Sequence, residues 1–312
     1  MRLDFDPVNK ISYTIYYFLK FRMPTVEGYA YTIKNPWILF KKRGKIELTD
    51  GQSFYFNEKN KKDILALVLF ALHNGIHFGH KRYQWKFNQN EDYVETHQGI
   101  KFKLKGLGLI FDETFLKQIH FVGFDLRNKV VVTAGAYVGD TPLFYAYYGA
   151  KVYAFEPNPI SFSIAKENLD LNPKLRKNIV LLPYAIGTDG NVLFPLEDDS
   201  GGSSIYLLKE KTIKVKSVSI STILERFKIK HPFLLDLDIK GTEFTVIKDQ
   251  SISKFKKLRI EYSPYLLEKC PKHSLEFLIR KIREHGFKNV RVYKHNDLRF
   301  DLLNHGTIEA EK

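Results

Sequence analysis

The stretch that most constrains the fold is residues 130–157, which read VVVTAGAYVGDTPLFYAYYGAKVYAFEP. An apolar strand runs into a glycine-containing turn, a helix follows, and a second apolar strand ends at the acid Glu156. This β-turn-α-β order is typical of folds that bind an adenosine-containing ligand. Glycine lets the backbone approach the ligand, and the acid can accept hydrogen bonds from both ribose hydroxyls. A purely structural βαβ unit, in which Glu156 has no ligand, stays open at this point.

The spacing of the glycines narrows the choice of ligand. Dinucleotide-binding turns favour three glycines in the pattern G-x-G-x-x-G, whereas only Gly135 and Gly139 fall in this turn. The looser turn suits S-adenosylmethionine, which has no pyrophosphate to hold. A nicotinamide dehydrogenase shares the ribose-binding acid and stays open, but the glycine spacing disfavours it.

Composition bounds the class of protein. The chain has 312 residues, of which 44% are hydrophobic, enough for a substantial core. Its formal net charge of +14 favours anionic partners, namely nucleic acid, a phospholipid surface or an anionic substrate. The apolar segment 11–18 is too short to cross a membrane, for which about 20 residues are needed. An ordinary packed helix is expected there, and a helix lying on a membrane surface stays open.

Cysteine and histidine usage excludes several kinds of site. Cys270 is the only cysteine, which excludes a disulfide framework and a cysteine-based zinc site. A lone cysteine fits a reducing compartment, so a cytoplasmic location is expected, with peripheral membrane contact left open. His73, His77 and His80 come closest to a metal-ligand pattern, but glycines interrupt it and we predict no metal site.

Two regions of different pattern follow each other along the chain. The pattern of residues 1–120 predicts an N-terminal α+β extension of unknown role. The pattern of residues 121–312 predicts a separate domain. In the extension, strands are expected at 37–40, 45–48 and 53–56, a helix at 61–74, and a hairpin from 93–96 and 100–104.

The second region alternates strands and helices, which predicts an α/β fold with a mostly parallel sheet covered on both faces. Strands are expected at 129–134, 152–155, 179–184, 233–238, 258–262 and 290–293, and helices at 140–148, 159–171, 242–248 and 273–285. Where the alternation would place the next helix, residues 190–219 instead predict two strands around the loop 198–204. This loop could fold over a substrate. Residues 289–293 and 298–302 predict a closing antiparallel hairpin at the sheet edge.

Five spaced motifs resemble the FkbM family of S-adenosylmethionine-dependent methyltransferases. The motifs are VVVTAGAYVGDTPLFYA, YAFEPNP, KENLDLN, FLLDLDIKGTEF and RIEYSPY, and together they lie within residues 95–295. The resemblance implies a class I methyltransferase fold, a Rossmann-like sheet that is mostly parallel with an antiparallel last strand. It implies S-adenosyl-L-methionine as cofactor and O-methylation of a hydroxyl on a sugar, glycan or lipid-linked acceptor.

Residue roles follow from matching those motifs. The cofactor-binding residues expected are Thr133, Gly135, Ala136, Tyr137, Gly139, Asp140, Thr141, Glu156, Pro157, Tyr184 and Ala185. Glu156 is expected to bind the ribose, and Tyr184 with Ala185 to border the adenine. Asp238 is expected to position the acceptor or remove its proton. Lys240, Glu243 and Glu261 are expected beside it. A structural role stays open for Asp238 as a polar strand terminus and for Glu243 as a helix N-terminal acid.

Three positions depart from the family pattern. The first motif has Thr133 where the family has Asp, and the fourth has Asp236 for Lys and Lys240 for Glu. A salt bridge with reversed ends and the loss of a catalytic group are both open explanations.

A rival function comes from another class of protein. It is a catalytically weak or inactive cofactor-binding module that holds nucleic acid or membrane on basic runs such as 41–43, 59–62 and 254–259. Two other methyltransferase classes are disfavoured. DIKG stands where adenine N6-methylation needs Asn/Asp-Pro-Pro-aromatic, and Cys270 is too distant for the cytosine C5 nucleophile.

Overall fold

The computed structural model describes residues 33–48, 53–61, 64–65, 86–88, 93–96, 98–103, 114, 125–196, 211–262, 274–294 and 306–312. The chain divides into two compact units, one containing residues 8–117 and the other containing residues 118–312. The domain boundary expected at residue 120 stays a prediction. The expected helix at 11–18, the loop 198–204, His73, His77, His80 and Cys270 lie outside the described residues, as does most of the expected helix at 61–74.

The N-terminal unit contains two small antiparallel sheets among its described residues. β1 (Gly44–Glu47) pairs with β2 (Ser53–Phe56), and β4 (Tyr93–Glu95) pairs with both β3 (Lys86–Asn88) and β5 (Lys101–Lys103). These pairings confirm the strands expected near 45–48, 53–56, 93–96 and 100–104. The strand expected at 37–40 is wrong, because Pro36–Phe40 is a 3₁₀ helix. Pro36 at the first helical position favours that turn by fixing φ and needing no N–H partner.

A seven-stranded sheet organises the second unit. Its order is β14-β15-β13-β12-β6-β7-β8, and β15 alone runs antiparallel to its neighbours. The strands are β6 (Val130–Ala134), β7 (Lys151–Phe155), β8 (Ile179–Leu182), β12 (Pro232–Leu237), β13 (Lys257–Tyr262), β14 (Asn289–Lys294) and β15 (Gly306–Glu311). This is the class I methyltransferase sheet, so the predicted fold class is confirmed.

Six α-helices lie among the described residues of this unit. They are α1 (Asp140–Tyr147), α2 (Pro159–Asp170), α3 (Pro173–Arg176), α4 (Ile220–Arg226), α5 (Glu243–Val246) and α6 (Leu275–Glu284), with a further 3₁₀ helix at Gln250–Lys254. Local signals fix several ends. Asn158 and Ser274 cap α2 and α6 through their side chains. Gly286, with φ +86°, follows the end of α6. The sequence had not predicted α3 or α4.

The core of the unit is apolar and continuous. Buried side chains from β6, β7, β12, β13 and β15 pack with those of α4, α5 and α6 in one cluster. Strands β12 and β13 alternate in side-chain direction. Leu235, Leu237 and Ile260 join this cluster, whereas Asp236 and Arg259 project from the opposite face of the sheet. That second face therefore carries buried charges.

The smaller sheet and the sheet edge differ partly from expectation. β10 (Gly190–Pro195) and β11 (Thr212–Val218) are the two strands predicted within 190–219. They pair antiparallel, and β11 also pairs in parallel with β9 (Ala185–Ile186). β14 pairs antiparallel with β15 at Gly306–Glu311, a strand that the sequence analysis does not predict. The predicted partner of 289–293, residues 298–302, lies outside the described residues. β15 buries Thr307, Ile308 and Ala310 between two strands, which secures its place. Among the described residues, no helix is both long and apolar enough to cross a membrane.

Candidate active site

The turn after β6 lies where the strand order reverses, between β6 and β12, which is the usual ligand position in an open α/β sheet. Gly135, Tyr137 and Gly139 all adopt positive φ, at +86°, +43° and +89°. A Cβ on Gly135 would lie 2.1 Å from the carbonyl oxygen of Asp238, so only glycine fits. The two strand ends therefore meet backbone to backbone, and Asp238 N donates to Ala134 O at 3.0 Å.

Glu156 follows β7 and links the turn to the next helix. Its Oε2 accepts from the backbone N–H of Tyr137 at 2.7 Å, and its Oε1 accepts from Asn158 N at 2.9 Å. Each oxygen keeps a second lone pair, so the carboxylate can also accept bonds from a diol. Burial raises its pKa to about 7, although the two backbone N–H groups act in the opposite direction. The nearby carboxyls of Asp238 and Asp140 raise the pKa further.

The same edge of the sheet is acidic, and this fits the chemistry of S-adenosylmethionine. Asp140, Glu156 and Glu261 are buried and Asp238 is half-buried around the carboxyl ends of the strands. The cofactor carries a sulfonium and an ammonium, which carboxylates favour, and a ribose diol, which Glu156 suits. The residues present therefore fit S-adenosylmethionine as the cofactor.

Asp238, Lys240 and Glu261 form one group, here named the edge cluster. Lys240 Nζ donates to Asp238 Oδ1 at 3.1 Å and also to Glu261 Oε1. Burial and the Glu261 carboxylate raise the pKa of Asp238 above its usual range. Burial disfavours the Lys240 cation, but the two carboxylates outweigh it and raise the pKa of Lys240. Asp238 is the most exposed side chain of the three, at 23%.

One layer below lies a second group, the sealed cluster of Thr133, Tyr145, Asp236 and Arg259. All four are completely buried. Thr133 Oγ1 and Tyr145 Oη donate to Asp236 Oδ2, each at 3.0 Å, and Arg259 Nη1 donates to Asp236 Oδ1 at 2.7 Å. Three donors thus satisfy one buried carboxylate, as a buried ion pair requires.

The sealed cluster explains the departures from the family pattern. Asp236 stands directly opposite Thr133 in the β6–β12 register, so a carboxylate absent from β6 is present on the neighbouring strand. Asp236 pairs with Arg259, while Lys240 pairs with Asp238 and Glu261. The two exchanged charges therefore have separate partners, and each carboxylate has a cation beside it. Arg259 Nη2 lies 3.8 Å from Glu261 Oε2 and links the two clusters.

The other predicted site residues differ in where they lie. Asp140 and Thr141 begin α1 and are buried, and Glu243 begins α5 and is fully buried. The ring of Tyr184 lies under Lys216 and Arg226, with centroid distances of 5.3 and 5.6 Å.

For three more of the predicted residues, Ala136, Pro157 and Ala185, the structure shows a position in the backbone. Ala136 N and Gly135 N both donate to Phe155 O. Ala185 begins β9, and Pro157 precedes the cap of α2. The ligand roles expected of all these residues stay predictions.

Two residues of the sealed cluster escaped the sequence analysis. Tyr145 lies on a helix whose residues are nearly all buried, so its hydroxyl had no distinguishing signal. Arg259 has a usable signal, because a charged residue two positions before Glu261 on the same strand shares its face of the sheet. By sequence alone, however, Arg259 belongs to the basic run 254–259.

Comparisons with known proteins agree with this geometry. Residues 134–288 match the methyltransferase FkbM domain. A stretch of 100 residues is 27% identical to the hexuronic acid methyltransferase AglP of Haloferax volcanii, covering 32% of this chain and 41% of that protein. The chain thus spans less than half of this curated relative.

Solved structures of methyltransferases are similar at low identity. The METTL16 methyltransferase domain is 12% identical with a TM-score of 0.43, over 100% of this chain and 99% of that one. Magnesium protoporphyrin IX methyltransferase from Synechocystis, with bound S-adenosylmethionine, is 11% identical with a TM-score of 0.36, over 60% and 72%. The sheet order, the glycine turn followed by the acid Glu156 and the domain match together lead to one conclusion: residues 134–288 of this chain form a methyltransferase FkbM domain.

Proposed function

We propose that this protein is an S-adenosylmethionine-dependent O-methyltransferase whose acceptor is a hydroxyl of a sugar, in a glycan or a lipid-linked form. The observation that carries the proposal is Asp238. Asp238 directly follows β12, its backbone lies against the Gly135 turn, and its side chain is partly exposed and has a raised pKa. A carboxylate of raised pKa is a stronger base than an exposed one, which suits removal of a hydroxyl proton.

The roles of the other residues follow from their positions. The bound cofactor supplies a methyl group already activated on its sulfonium. Glu156 and the Gly135 turn hold the adenosine side, so that the acceptor oxygen and the methyl carbon can be aligned. Asp238 takes the proton as the acceptor oxygen forms its bond to the methyl carbon. The products are a methyl ether and S-adenosylhomocysteine.

Lys240 has an electrostatic role in this scheme. Its permanent positive charge lies between Asp238 and Glu261 and offsets the repulsion between the two carboxylates. Without this cation, the repulsion between the Asp238 and Glu261 carboxylates would make them share a proton. Asp238 would then be less able to remove a proton from the substrate hydroxyl at neutral pH. Lys240 itself cannot serve as the base, because its raised pKa keeps it protonated.

The class of acceptor is supported by one relative. The printed name of the Haloferax volcanii protein assigns it a hexuronic acid, and the similar segment covers 100 residues of this chain. A hexuronic acid offers both hydroxyls and a carboxylate as methyl acceptors. A base is needed for a hydroxyl but not for a carboxylate, which is already ionised at neutral pH. The presence of Asp238 therefore favours the hydroxyl.

The test is incubation of the protein with methyl-labelled cofactor and separate glycan, lipid and RNA fractions. We expect label in the glycan or lipid-linked glycan fraction, in a form stable to mild alkali because it is an ether. Loss of label in mild alkali would indicate a methyl ester and remove the role assigned to Asp238. Label in RNA alone, or in no fraction although cofactor binds, would contradict the proposal.

A further inference from the structure

Two aromatic side chains of the N-terminal unit are almost fully exposed. Trp37 is 78% exposed and Phe40 is 82% exposed, the highest values among the large hydrophobic residues that the structure describes. Their ring centroids lie 6.1 Å apart, so the two rings contact each other and present one joint apolar surface. Exposing two such rings to water is unfavourable, which indicates that another surface covers them.

The local backbone holds this pair in place. The 3₁₀ helix Pro36–Phe40 is closed by Ile38 N donating to Asn35 O and Lys41 N donating to Ile38 O, each at 3.0 Å. Lys61 Nζ donates to Leu39 O at 2.7 Å and to Lys41 O at 3.0 Å. The end of the helix is thus fixed to a residue 20 positions away in the sequence.

Cations surround the aromatic pair. Residues 34–45 include Lys34, Lys41, Lys42, Arg43 and Lys45 and contain no acid. Lys34, Lys41, Lys42 and Arg43 are all exposed. Lys42 has a partner, Glu58, at 2.9 Å, but both side chains are exposed at 86% and 63%, so this ion pair is weak. The surface therefore combines aromatic rings with a local excess of positive charge.

We propose that Lys34, Trp37, Phe40, Lys41, Lys42 and Arg43 form an aromatic–basic surface that binds anionic lipid membranes. Trp and Phe insert at the boundary of headgroups and acyl chains, while Lys and Arg contact the anionic headgroups. Single-stranded nucleic acid also uses aromatic rings and cations. Trp37 and Phe40 contact each other, however, and so form one continuous apolar surface, a shape that favours insertion among lipid chains over the stacking of separate bases. The half-buried Ile38 and Leu39 extend the apolar surface.

Vesicle flotation at low salt tests this surface directly. The probes are vesicles of phosphatidylcholine alone and of equal parts phosphatidylcholine and phosphatidylglycerol. We expect binding to the anionic vesicles only, weakened by salt. Each cation near the surface contributes about fivefold to binding, so Lys41→Ala/Lys42→Ala/Arg43→Ala should bind roughly 100-fold more weakly. Trp37→Ala/Phe40→Ala should bind about tenfold more weakly or worse.

Matched controls separate the surface from bulk charge and bulk hydrophobicity. Lys174→Ala/Lys177→Ala/Lys214→Ala removes three exposed lysines elsewhere, and Leu193→Ala removes a side chain that is 53% exposed. Both should bind vesicles as the unchanged protein does. Equal losses in the lysine control would show that net charge alone is responsible and would overturn the proposal. So would unchanged binding of the aromatic variant.

The outcome is independent of the proposed methyl transfer. Vesicle binding needs no cofactor, and the surface variants should keep S-adenosylmethionine affinity, because the cofactor site lies in the other unit. Unchanged far-ultraviolet circular dichroism and thermal unfolding would show that the N-terminal unit of the variants is folded. Cofactor binding without vesicle binding would remove this inference and leave the proposed function intact. Binding of single-stranded RNA, lost in the same variants while vesicles stay unbound, would assign the surface to nucleic acid and overturn the membrane proposal.

Discussion

The sealed cluster and the edge cluster are built from the same strands and face the same way, yet they differ in access to solvent. Asp236 lies on β12 and Asp238, two residues later, directly follows it, while Arg259 and Glu261 lie two residues apart on β13. Residues at this spacing share one face of a sheet. The side chains of Asp236 and Arg259 are 0% exposed, whereas that of Asp238 is 23% exposed. A shift of two residues thus separates charges that stabilise the fold from charges that can meet a substrate.

The largest effect is expected for Arg259→Met, which breaks the sealed cluster. Asp236 would keep its negative charge in a buried place with no cation paired to it. Loss of one partner of a buried ion pair costs about 3–5 kcal/mol of unfolding free energy. Urea unfolding measures this. The control is Arg280→Ala, whose side chain is 67% exposed, and it should change stability by less than about 1 kcal/mol. Equal losses in the two variants would contradict the distinction between the clusters.

Asp238→Asn and Asp236→Asn should separate catalysis from stability. Removal of a general base is expected to lower kcat of Asp238→Asn by roughly 10²–10⁴-fold, with stability little changed. Asp236→Asn leaves Arg259 without its carboxylate, so it should lose stability while the folded fraction keeps its kcat. Steady-state kinetics and urea unfolding on both variants provide the comparison. An active Asp238→Asn enzyme would remove the proposed base.

Lys240→Met should change the pH dependence of the reaction. The Lys240 cation lowers the pKa of Asp238, against burial and Glu261, which raise it. Without that cation the pKa rises further, and Asp238 is ionised only at higher pH. We expect the acid limb of the kcat profile to move upward and the rate at neutral pH to fall about tenfold, equivalent to one pKa unit. Lys240→Arg keeps the charge and should restore the profile. An unmoved acid limb would contradict the role given to Lys240.

The smallest effect is expected for Thr133→Val, which removes one of the three donors to Asp236. Arg259 and Tyr145 remain, so the loss should be about 1 kcal/mol of stability. A larger loss, or a loss of cofactor affinity at unchanged stability, would show that Thr133 acts at the cofactor site. Urea unfolding and cofactor titration on the same preparation distinguish these results.

Much of the second unit could be predicted from the sequence, because its signals are local. The glycine turn, the acid after β7 and the alternation of strands and helices are each readable within a few residues. Strand β15 could not be predicted in the same way, because the sequence of 306–311 alternates no more clearly than that of 298–302, and its burial between β13 and β14 is visible only in the folded sheet. Asp236 was read as a departure from a motif. Its meaning depends on Arg259 and Tyr145, which are distant in sequence and become its partners only in the folded sheet.

Isothermal titration with S-adenosylmethionine tests the central claim most directly. We expect a dissociation constant in the micromolar range, which corresponds to a binding free energy on the order of 8 kcal/mol. Glu156→Ala should show a strong loss of binding. Because the pKa of Glu156 is raised to about 7 and the ribose bonds need its carboxylate, binding should strengthen about tenfold from pH 6 to pH 8. Glu156→Gln should lose most of that pH dependence. No binding at either pH, or equal binding by Glu156→Ala, would contradict the cofactor site.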